Sequence, residues 1–365
     1  MKNKQELNQG RRAFLRRLGM GAGAAVAMTM MEPLQMFAQK KEKEGGAVNR
    51  MTYRVQHGSG EQISLLGFGM MRLPDNQDEV NALVDYAIEH GVNYFDTAPM
   101  YMGGRSEVLT GNALSRHPRE KYYVATKMSN QRNNLWDFAQ IQMNFLDWRH
   151  ASSGRRHDAD AEYLYNKCEK TGVQCVVMEP LRGGAFGRMA QELVDKLKAV
   201  RPNDSAARWA FRWVGSYPNI LTTLSGMNRM DHLKDNLGTF SPLENCSEAE
   251  NRLLADIADE MAGFPTIPCT TCGYCMPCPY GVDIPGNFAY YNDAVHNHVL
   301  PLPNKEAADF MEKKQQFTDG MRKALPDAEK WARSCQDCEE CLPKCPQQIR
   351  IPNQLARIVE TLRRR

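Results

Sequence analysis

The chain has 365 residues, of which 42% are hydrophobic and 24% are charged, values that are ordinary for a globular protein. The length is sufficient for a targeting segment, one large domain and one small domain. The formal net charge is +3, but residues 1–38 carry six basic and two acidic side chains, which leaves −1 for the rest of the chain. This balance argues against a dedicated nucleic-acid-binding surface.

The N-terminal segment is typical of an export signal. An Arg-Arg-x-Phe-Leu motif begins at Arg11 and is followed by the apolar run Leu18–Met31. That run is shorter than the about 20 residues that a bilayer-spanning helix needs. Together with the small residue Ala38, it predicts a signal peptide over residues 1–38 that resembles a twin-arginine signal, and then a linker over 39–50. We therefore expect export to the periplasm, with an uncleaved membrane anchor as the alternative.

Residues 51–262 alternate short apolar runs with amphipathic stretches, which predicts βα units around a parallel sheet. The six predicted strands are Ile63–Phe68, Val92–Asp96, Tyr122–Lys127, Ala139–Leu146, Val173–Met178 and Ile220–Leu224. The predicted helices are Glu79–His90, Glu107–Ser115, Ala159–Thr171, Asp204–Gly215 and, after the last strand, Met230–Leu237. Because a complete TIM barrel has eight strands, we expect an α/β fold of reduced (β/α)8 type with about six strands.

Several motifs of this region resemble the aldo/keto reductase family. In the first half they are Gly67–Met70, His90–Tyr101 and Ala125–Lys127, and in the second half they are Gln140–Asn144, Met178–Gly184 and Leu224–Asn228. The resemblance implies hydride transfer between NAD(P)(H) and a carbonyl or alcohol. Whether the cofactor is NADP or NAD stays open, since Arg229 and Lys234 do not align cleanly with the residues that grip a 2′-phosphate.

The resemblance also implies a set of catalytic residues. Tyr101 matches the proton donor, at the C-terminal mouth of the second predicted strand, where barrel enzymes place their sites. Lys127 matches the ammonium that lowers the pKa of that tyrosine, and Asp96 matches the carboxylate that orients the lysine. The alternative is structural: Asp96 caps a helix, Tyr101 packs in a loop and Lys127 is solvated.

Five residues match cofactor-contacting positions of the family: Gln140, Met178, Asn228, Asp235 and Asn236. Gln140 matches a contact to the nicotinamide amide, whereas Met178 lies where many family members stack an aromatic ring on the nicotinamide. The other three lie in the segment that holds the adenosine half of the cofactor.

The spacing departs from the family pattern after Lys127. The family has a fourth strand that ends in a catalytic histidine and a fifth that ends in nicotinamide-binding polar residues, but here the sixth-strand match follows at Gln140. No histidine lies where the fourth strand would end, because His117 precedes the third strand and His150 fits an exposed loop better. We expect a barrel that is internally shortened after about residue 130, with weak or lost catalysis; an error in the sequence is the other explanation.

Eight of the 11 cysteines lie in two runs near the C-terminus, within a predicted domain over residues 263–365. The second run has the C-x2-C-x2-C-x3-C-P spacing of iron–sulfur proteins, and the first has two residues instead of three before its last cysteine. In two-cluster ferredoxins the fourth cysteine of a run ligates the other cluster, so we predict two [4Fe–4S] clusters. One would be held by Cys269, Cys272, Cys275 and Cys345, and the other by Cys335, Cys338, Cys341 and Cys278. Zinc sites and disulfides are the alternatives.

With this module appended, the chain resembles the aldo/keto reductase branch that carries a helical two-cluster ferredoxin domain. We therefore predict an exported oxidoreductase in which hydride transfer is coupled to the two clusters. Its expected partners are a redox protein or a small carbonyl substrate, with no nucleic acid and no membrane apart from an uncleaved signal. The alternative is a non-catalytic iron–sulfur electron-transfer or docking protein with a vestigial barrel.

Overall fold

A computed structural model of the protein describes residues 51–126, 138–150, 160–301 and 308–363, so the predicted signal peptide and linker lie outside the described residues. The strands are β1 Tyr53–Val55, β2 Gln62–Ser64, β3 Leu66–Gly69, β4 Tyr94–Asp96, β5 Tyr123–Ala125, β6 Phe138–Gln142, β7 Gln174–Met178 and β8 Ile220–Ser225. The helices are α1 Gln77–Glu89, α2 Arg105–Leu114, α3 Phe145–Arg149, α4 Ala161–Thr171, α5 Gln191–Val200, α6 Ala206–Gly215, α7 Met230–Phe240, α8 Glu248–Gly263, α9 Ile284–His296, α10 Phe310–Ala324 and α11 Ile351–Leu362.

The contacts divide the chain into two compact units, and the first contains the described residues up to Phe138 together with 227–243. Its strands β1 and β2 form an antiparallel hairpin. Strands β5, β4 and β3 lie side by side in that order, and both pairings are parallel. The register places Asp96 opposite Ala125, so the carboxyl ends of β4 and β5 coincide.

Helix α1 shows how local sequence sets the elements of this unit. The Asn76 side chain accepts a hydrogen bond from the backbone of Asp78 at 2.8 Å and so caps the helix. The helix buries one apolar stripe at helical spacing, which consists of Val80, Leu83, Val84 and Ala87. Gly91 follows the helix at φ +91°, in the left-handed region that glycine adopts without strain.

The second unit contains residues 139–226 and the described residues from 244 onward. Strands β8, β7 and β6 lie side by side, and β7 and β8 are parallel. Aromatic side chains fill the space under these strands: Phe145 stacks on Phe186 with ring centroids 4.3 Å apart, and Trp148 meets Trp213 edge to face at 5.6 Å. Large aromatic side chains contribute strongly to such a core.

The helical region with the cysteines belongs to this second unit and has its own hydrophobic core. Helices α9, α10 and α11 contribute Phe288, Phe317 and Ile358, which are fully buried. The buried Asn287 side chain donates to the Lys330 carbonyl at 2.8 Å and accepts from the Ala332 backbone at 2.8 Å. These bonds hold the segment before the second cysteine run against α9.

Most predicted elements are present, and two need correction. The strand predicted over Ile63–Phe68 is two short strands, because the chain changes partner at Leu65. The strand predicted over Ala139–Leu146 ends at Gln142, because Asn144 caps a helix that begins at Phe145. Among the described residues, no helix is both long and apolar enough to cross a bilayer.

Candidate functional site

Asp96 and Tyr101 lie in and just after β4 in the first unit. Asp96 is buried, with 5% of its surface exposed, and it ends the strand. Tyr101 is half-buried and begins a short 3-10 turn, Tyr101–Gly104, in which the residue Met102 is left-handed at φ 53°. The start of α2, which follows this turn, is held in place by Ser106, whose hydroxyl donates a hydrogen bond to the Met70 carbonyl at 2.7 Å. Both side chains are therefore at the carboxyl end of the strand, as expected.

Lys127 lies outside the described residues. Ala125, two residues before Lys127, lies beside the end of β4, because the Thr97 backbone donates a hydrogen bond to the Ala125 carbonyl at 2.9 Å. Both histidines that the sequence analysis weighed contact a carboxylate: His117 lies 2.7 Å from Asp85, and His150 lies 2.6 Å from Asp259. His150 is exposed, at the C-terminal end of α3.

The three adenosine-side residues lie in and before α7. Asn228 is exposed, Asp235 is half-buried and Asn236 is buried. Arg229, near the position that would hold a 2′-phosphate, forms a two-pronged ion pair with Asp231 at 2.8 and 2.9 Å. This pairing occupies the guanidinium and leaves the choice between NADP and NAD undecided.

Gln140 and Met178 lie on the neighbouring strands β6 and β7 of the second unit. The two strand ends are joined where the Met143 backbone donates to the Met178 carbonyl at 3.2 Å. Gln140 is half-buried, and 37% of the Met178 surface is exposed. Met178 therefore lies at the carboxyl edge of the sheet, whereas Gln140 lies within β6, three residues before Met143.

A buried carboxylate that the sequence reasoning missed lies at the same edge. Asp147 is 2% exposed, and its Oδ2 accepts hydrogen bonds from Gln142 at 2.6 Å and from Asn144 at 2.8 Å. Its Oδ1 faces Arg182 Nε at 3.6 Å. The only local signal for this network is the Asn144 helix cap, because the Arg182 contact joins residues far apart in sequence.

The two cysteine runs adopt the same backbone path. In both, the residue two positions after the first cysteine is left-handed and its N–H points at that cysteine: Thr271 lies 3.4 Å from Cys269 Sγ, and Asp337 lies 3.5 Å from Cys335 Sγ. The residue four positions after the first cysteine is left-handed as well, at Gly273 and Glu339. After each Cys-Pro, a helix begins with proline in its first turn, at α9 and α11.

The structure sorts the eight cysteines into two sets of four. One cavity is lined by Cys269, Cys272, Cys275 and Cys345. A second cavity is lined by Cys278, Cys335, Cys338 and Cys341, with Cys275 between the two. These two sets are the ones that we predicted from the spacing, and a cluster in each cavity stays a prediction.

The thiols interact within these sets. Burial raises the pKa of Cys269 to about 11, and the neighbouring Cys272 and Cys345 thiols add to the effect. Burial likewise raises the pKa of Cys341, with Cys335, Cys338 and Cys278 adding to it. In the described ranges, no three His, Cys, Asp or Glu side chains converge on a single-ion site. Four thiols around each cavity are the donor set that a [4Fe–4S] cluster uses.

The first cysteine run packs against the loop that follows β7. Gly183 has φ +67°, and a Cβ on it would lie 2.2 Å from the Thr270 carbonyl oxygen, so only glycine fits this approach. A second link comes from the other run, where Gln347 Nε2 donates to Gln142 Oε1 at 3.2 Å. The first cavity therefore lies at the carboxyl ends of β6 and β7. The sequence had suggested only a turn at Gly183.

Comparisons with known proteins agree with the two parts of the chain. The sequence model of the aldo/keto reductase family matches residues 65–138, and that of the 4Fe-4S dicluster domain matches residues 268–350. The chain therefore contains aldo/keto reductase sequence and a C-terminal 4Fe-4S dicluster domain. The predicted fold class, a reduced barrel-like α/β domain joined to a helical ferredoxin-type domain, is confirmed.

Curated relatives match only in part. "Uncharacterized oxidoreductase YqkF" of Bacillus subtilis (strain 168) is 39% identical over 159 residues, which are 39% of this chain and 46% of that protein. "Probable aldo-keto reductase 1" of Glycine max is 39% identical over 74 residues, which are 19% of this chain and 21% of that protein. The chain thus spans less than half the length of each relative.

Two aldo-keto reductases of known structure are similar to this chain at low identity. The thermostable enzyme Tm1743, solved with the inhibitor epalrestat, is 19% identical with a TM-score of 0.46, over 57% of this chain and 100% of that chain. The Klebsiella pneumoniae enzyme, solved with NADPH, is 13% identical with a TM-score of 0.46, over 57% of this chain and 96% of that chain.

Proposed function

We propose that the protein is an exported oxidoreductase of aldo/keto reductase type that transfers hydride between NAD(P)(H) and a carbonyl or alcohol, coupled to electron transfer through two [4Fe–4S] clusters. The observation that carries this proposal is the packing of the first cysteine run on the carboxyl ends of β6 and β7. Gly183 accommodates Thr270 there, and Gln347 bonds to Gln142. Gln140 and Met178, the proposed nicotinamide contacts, lie on those two strands.

The two clusters would transfer single electrons. The burial of their cysteines would determine the order in which electrons pass through them. The first cluster would be held by Cys269, Cys272, Cys275 and Cys345, and the second by Cys278, Cys335, Cys338 and Cys341. Cys275 is buried, whereas Cys338 and the residues around it are exposed. The first cluster would therefore exchange electrons with the barrel, and the second with a redox partner that docks from solvent.

Three residues would perform the acid–base step. Tyr101 would donate a proton to the oxygen of the carbonyl as hydride arrives at its carbon, while Lys127 stabilises the phenolate that remains and Asp96 orients the lysine. Coupling to the clusters would belong to the opposite direction, in which an alcohol gives hydride to NAD(P)+ and its proton to the Tyr101 phenolate. The NAD(P)H so formed would give one electron to each of the two oxidised clusters and release one proton, which regenerates NAD(P)+. The buried position of Asp96 is the described feature that supports this part.

Export is proposed from residues 1–38 alone. The twin-arginine route carries folded proteins, which fits a chain whose clusters are inserted before export. The mature protein would then be periplasmic, with a carbonyl substrate and a redox protein as its partners.

Hydride transfer is tested with the mature chain, assembled with clusters under anaerobic conditions and offered NADPH and a panel of aldehydes and ketones. We expect measurable carbonyl reduction that Tyr101→Phe lowers by about 100-fold or more, the scale of a lost general acid. Tyr123→Phe, at a tyrosine of β5 outside the proposed site, is the control and should retain the rate. No reduction would favour the non-catalytic electron-transfer protein, whereas equal rates in Tyr101→Phe and Tyr123→Phe would show that Tyr101 is not the proton donor.

A further inference from the structure

Two cysteines outside the two cysteine runs have no part in the proposed function, and their side chains are in contact. Cys168 lies in the last turn of α4, and Cys175 is the second residue of β7. The two thiols share a hydrogen bond, and both are free in this structure. Both residues belong to the second unit, so the contact is internal to one compact body.

The end of α4 explains why the two thiols meet. Gly172 follows the helix at φ +72°, in the left-handed region, and turns the chain back. The Cys168 carbonyl accepts a hydrogen bond from the Val173 backbone at 3.0 Å, which fixes this turn. Strand β7 then begins at Gln174 and packs against α4. A fixed turn, and not a flexible loop, therefore brings Cys175 back to Cys168.

The two thiols differ in their access to solvent. Cys175 is 0% exposed, and the Asn219 side chain lies 3.9 Å from its Sγ. Cys168 is half-buried, so a reagent in solution meets this sulfur first. Burial raises the pKa of Cys175, and the neighbouring Cys168 thiol and Glu169 carboxylate add to the effect. A buried thiol of this kind is inert when it is alone.

The contact with Cys168 gives the buried thiol a reaction partner. Exchange of Cys168 with a small disulfide makes a mixed disulfide whose sulfur already lies against Cys175. The second step is then intramolecular, and the high effective concentration of an adjacent group offsets the small thiolate fraction of Cys175. The covalent bond needs sulfur atoms about 2.05 Å apart, and the two side chains approach that distance from a hydrogen-bonded contact.

We propose that Cys168 and Cys175 form an intramolecular disulfide by exchange with a small disulfide such as oxidised glutathione. Cys168 loses its proton and attacks one sulfur of the oxidant, and the first thiol leaves. Cys175 loses its proton and attacks the Cys168 sulfur, and the second thiol leaves. The protein thus gives up two electrons and two protons, and one oxidant disulfide becomes two thiols. That the bond is closed in the mature protein rests on the proposed export, because oxidising compartments preserve disulfides.

The test is peptide mapping of the mature chain after its clusters are assembled and it is incubated anaerobically with oxidised glutathione. Visible absorbance reports whether the clusters remain, and acid quenching followed by alkylation in denaturant blocks the remaining thiols. Trypsin cleaves after Lys170 and so places Cys168 and Cys175 on peptides 168–170 and 171–182. We expect mass spectrometry to find these two peptides joined in most chains and separated after reduction.

Three variants resolve the two steps. Cys168→Ser should leave peptide 171–182 unlinked, because the buried Cys175 is out of reach of the oxidant. Cys175→Ala should stop after the first step and keep one glutathione on Cys168. Cys246→Ser is the matched control, since Cys246 is the other half-buried cysteine outside the two runs, and this variant should form the bond like the parent chain.

Two results would overturn the proposal: peptides 168–170 and 171–182 that stay separate in the parent chain, or a link between Cys168 and Cys246 in similar amount. If the oxidant lowers the cluster absorbance, Cys168→Ser decides, and a peptide 171–182 that still becomes linked there contradicts the proposal. The measurement needs no nicotinamide, no turnover and no export, so its failure and a failure of the proposed function are distinguishable.

Discussion

Gly183 is the residue on which the packing of the first cysteine run depends most directly. Alanine there would meet the Thr270 carbonyl at 2.2 Å, a backbone contact that no side-chain rotation relieves. We predict that Gly183→Ala loses the first cluster, so that iron falls from about eight to about four atoms per chain. Iron content and visible absorbance of the anaerobically assembled chain measure this.

Gly184→Ala is the matched control for that variant. Gly184 is also left-handed, at φ +85°, but a Cβ there meets nothing within 4 Å. Both variants carry a similar backbone cost of about 1–2 kcal/mol, and only Gly183→Ala adds the collision. Equal iron content in the two variants would show that the close packing of Thr270 on Gly183 does not hold the first cysteine run in place.

Glu250 anchors a charge network that gives the second unit acid-dependent stability. It is 6% exposed and bonds Arg212 with both carboxylate oxygens at 3.0 Å. Burial alone would raise the pKa of Glu250, but bonds from Arg212, the Ser247 backbone and Arg201 outweigh it and lower the pKa to about 2. Its contribution is therefore present above pH about 4.5 and is lost as the pH falls through about 2.

We predict that Glu250→Gln lowers the free energy of unfolding by on the order of 3 kcal/mol at neutral pH, because Arg212 is left buried without its partner. The variant should also lose the part of the acid dependence between pH about 4.5 and about 2. Urea unfolding at several pH values measures both effects. Glu244→Gln, at an exposed partner of Arg201, should cost under about 1 kcal/mol, and an equal loss in both variants would contradict the account.

At this scale the sequence predicted residues whose chemistry is encoded locally. The cysteines follow a fixed spacing, and Asp96 was identified by its match to a family motif at the end of a predicted strand, so both could be placed. Gln142, Asp147 and Gln347 could not, since they acquire their roles only from partners that folding brings close. Spacing identifies a donor set well and identifies a network of distant polar side chains poorly.

Strands and helices with clear periodicity were predicted close to their observed limits. Helix α1 was predicted from its apolar stripe and following glycine, and β7 from a run of buried residues. The strand predicted over Ala139–Leu146 was wrong at its end, because the Asn144 cap redirects the chain after Gln142. Three helices, α3, α5 and α8, were not identified, although Ser247 and Glu250 form a capping box at the start of α8.

The two cysteine runs form a repeat in which the last cysteine of each run lines the cavity of the other run. Cys345 belongs to the second run by sequence but lines the cavity of the first, and Cys278 does the reverse. We predict that Cys345→Ser and Cys269→Ser alter the same cluster, whereas Cys278→Ser alters the other. Electron paramagnetic resonance of the reduced chains distinguishes the clusters. If Cys345→Ser instead matched Cys335→Ser, each run would hold its own cluster.

At the scale of the whole molecule, the fold class could be predicted from the number of strands and the two cysteine runs. The contact between the cysteine region and the ends of β6 and β7 could not, because it rests on close packing at Gly183 and on one side-chain hydrogen bond. That contact puts the first cavity at the carboxyl ends of β6 and β7, and the proposed coupling rests on this position. The internal shortening after about residue 130 stays a prediction, because residues 127–137 lie outside the described ranges.

The most direct test of the central claim is an anaerobic titration of the mature, cluster-loaded chain with NADPH and, separately, NADH. Nicotinamide fluorescence would be followed together with the visible absorbance of the clusters. We expect saturable binding of one of the two nucleotides with bleaching of the cluster absorbance, as electrons pass from the barrel to the first cluster. Clusters that keep their absorbance while neither nucleotide binds would contradict this expectation.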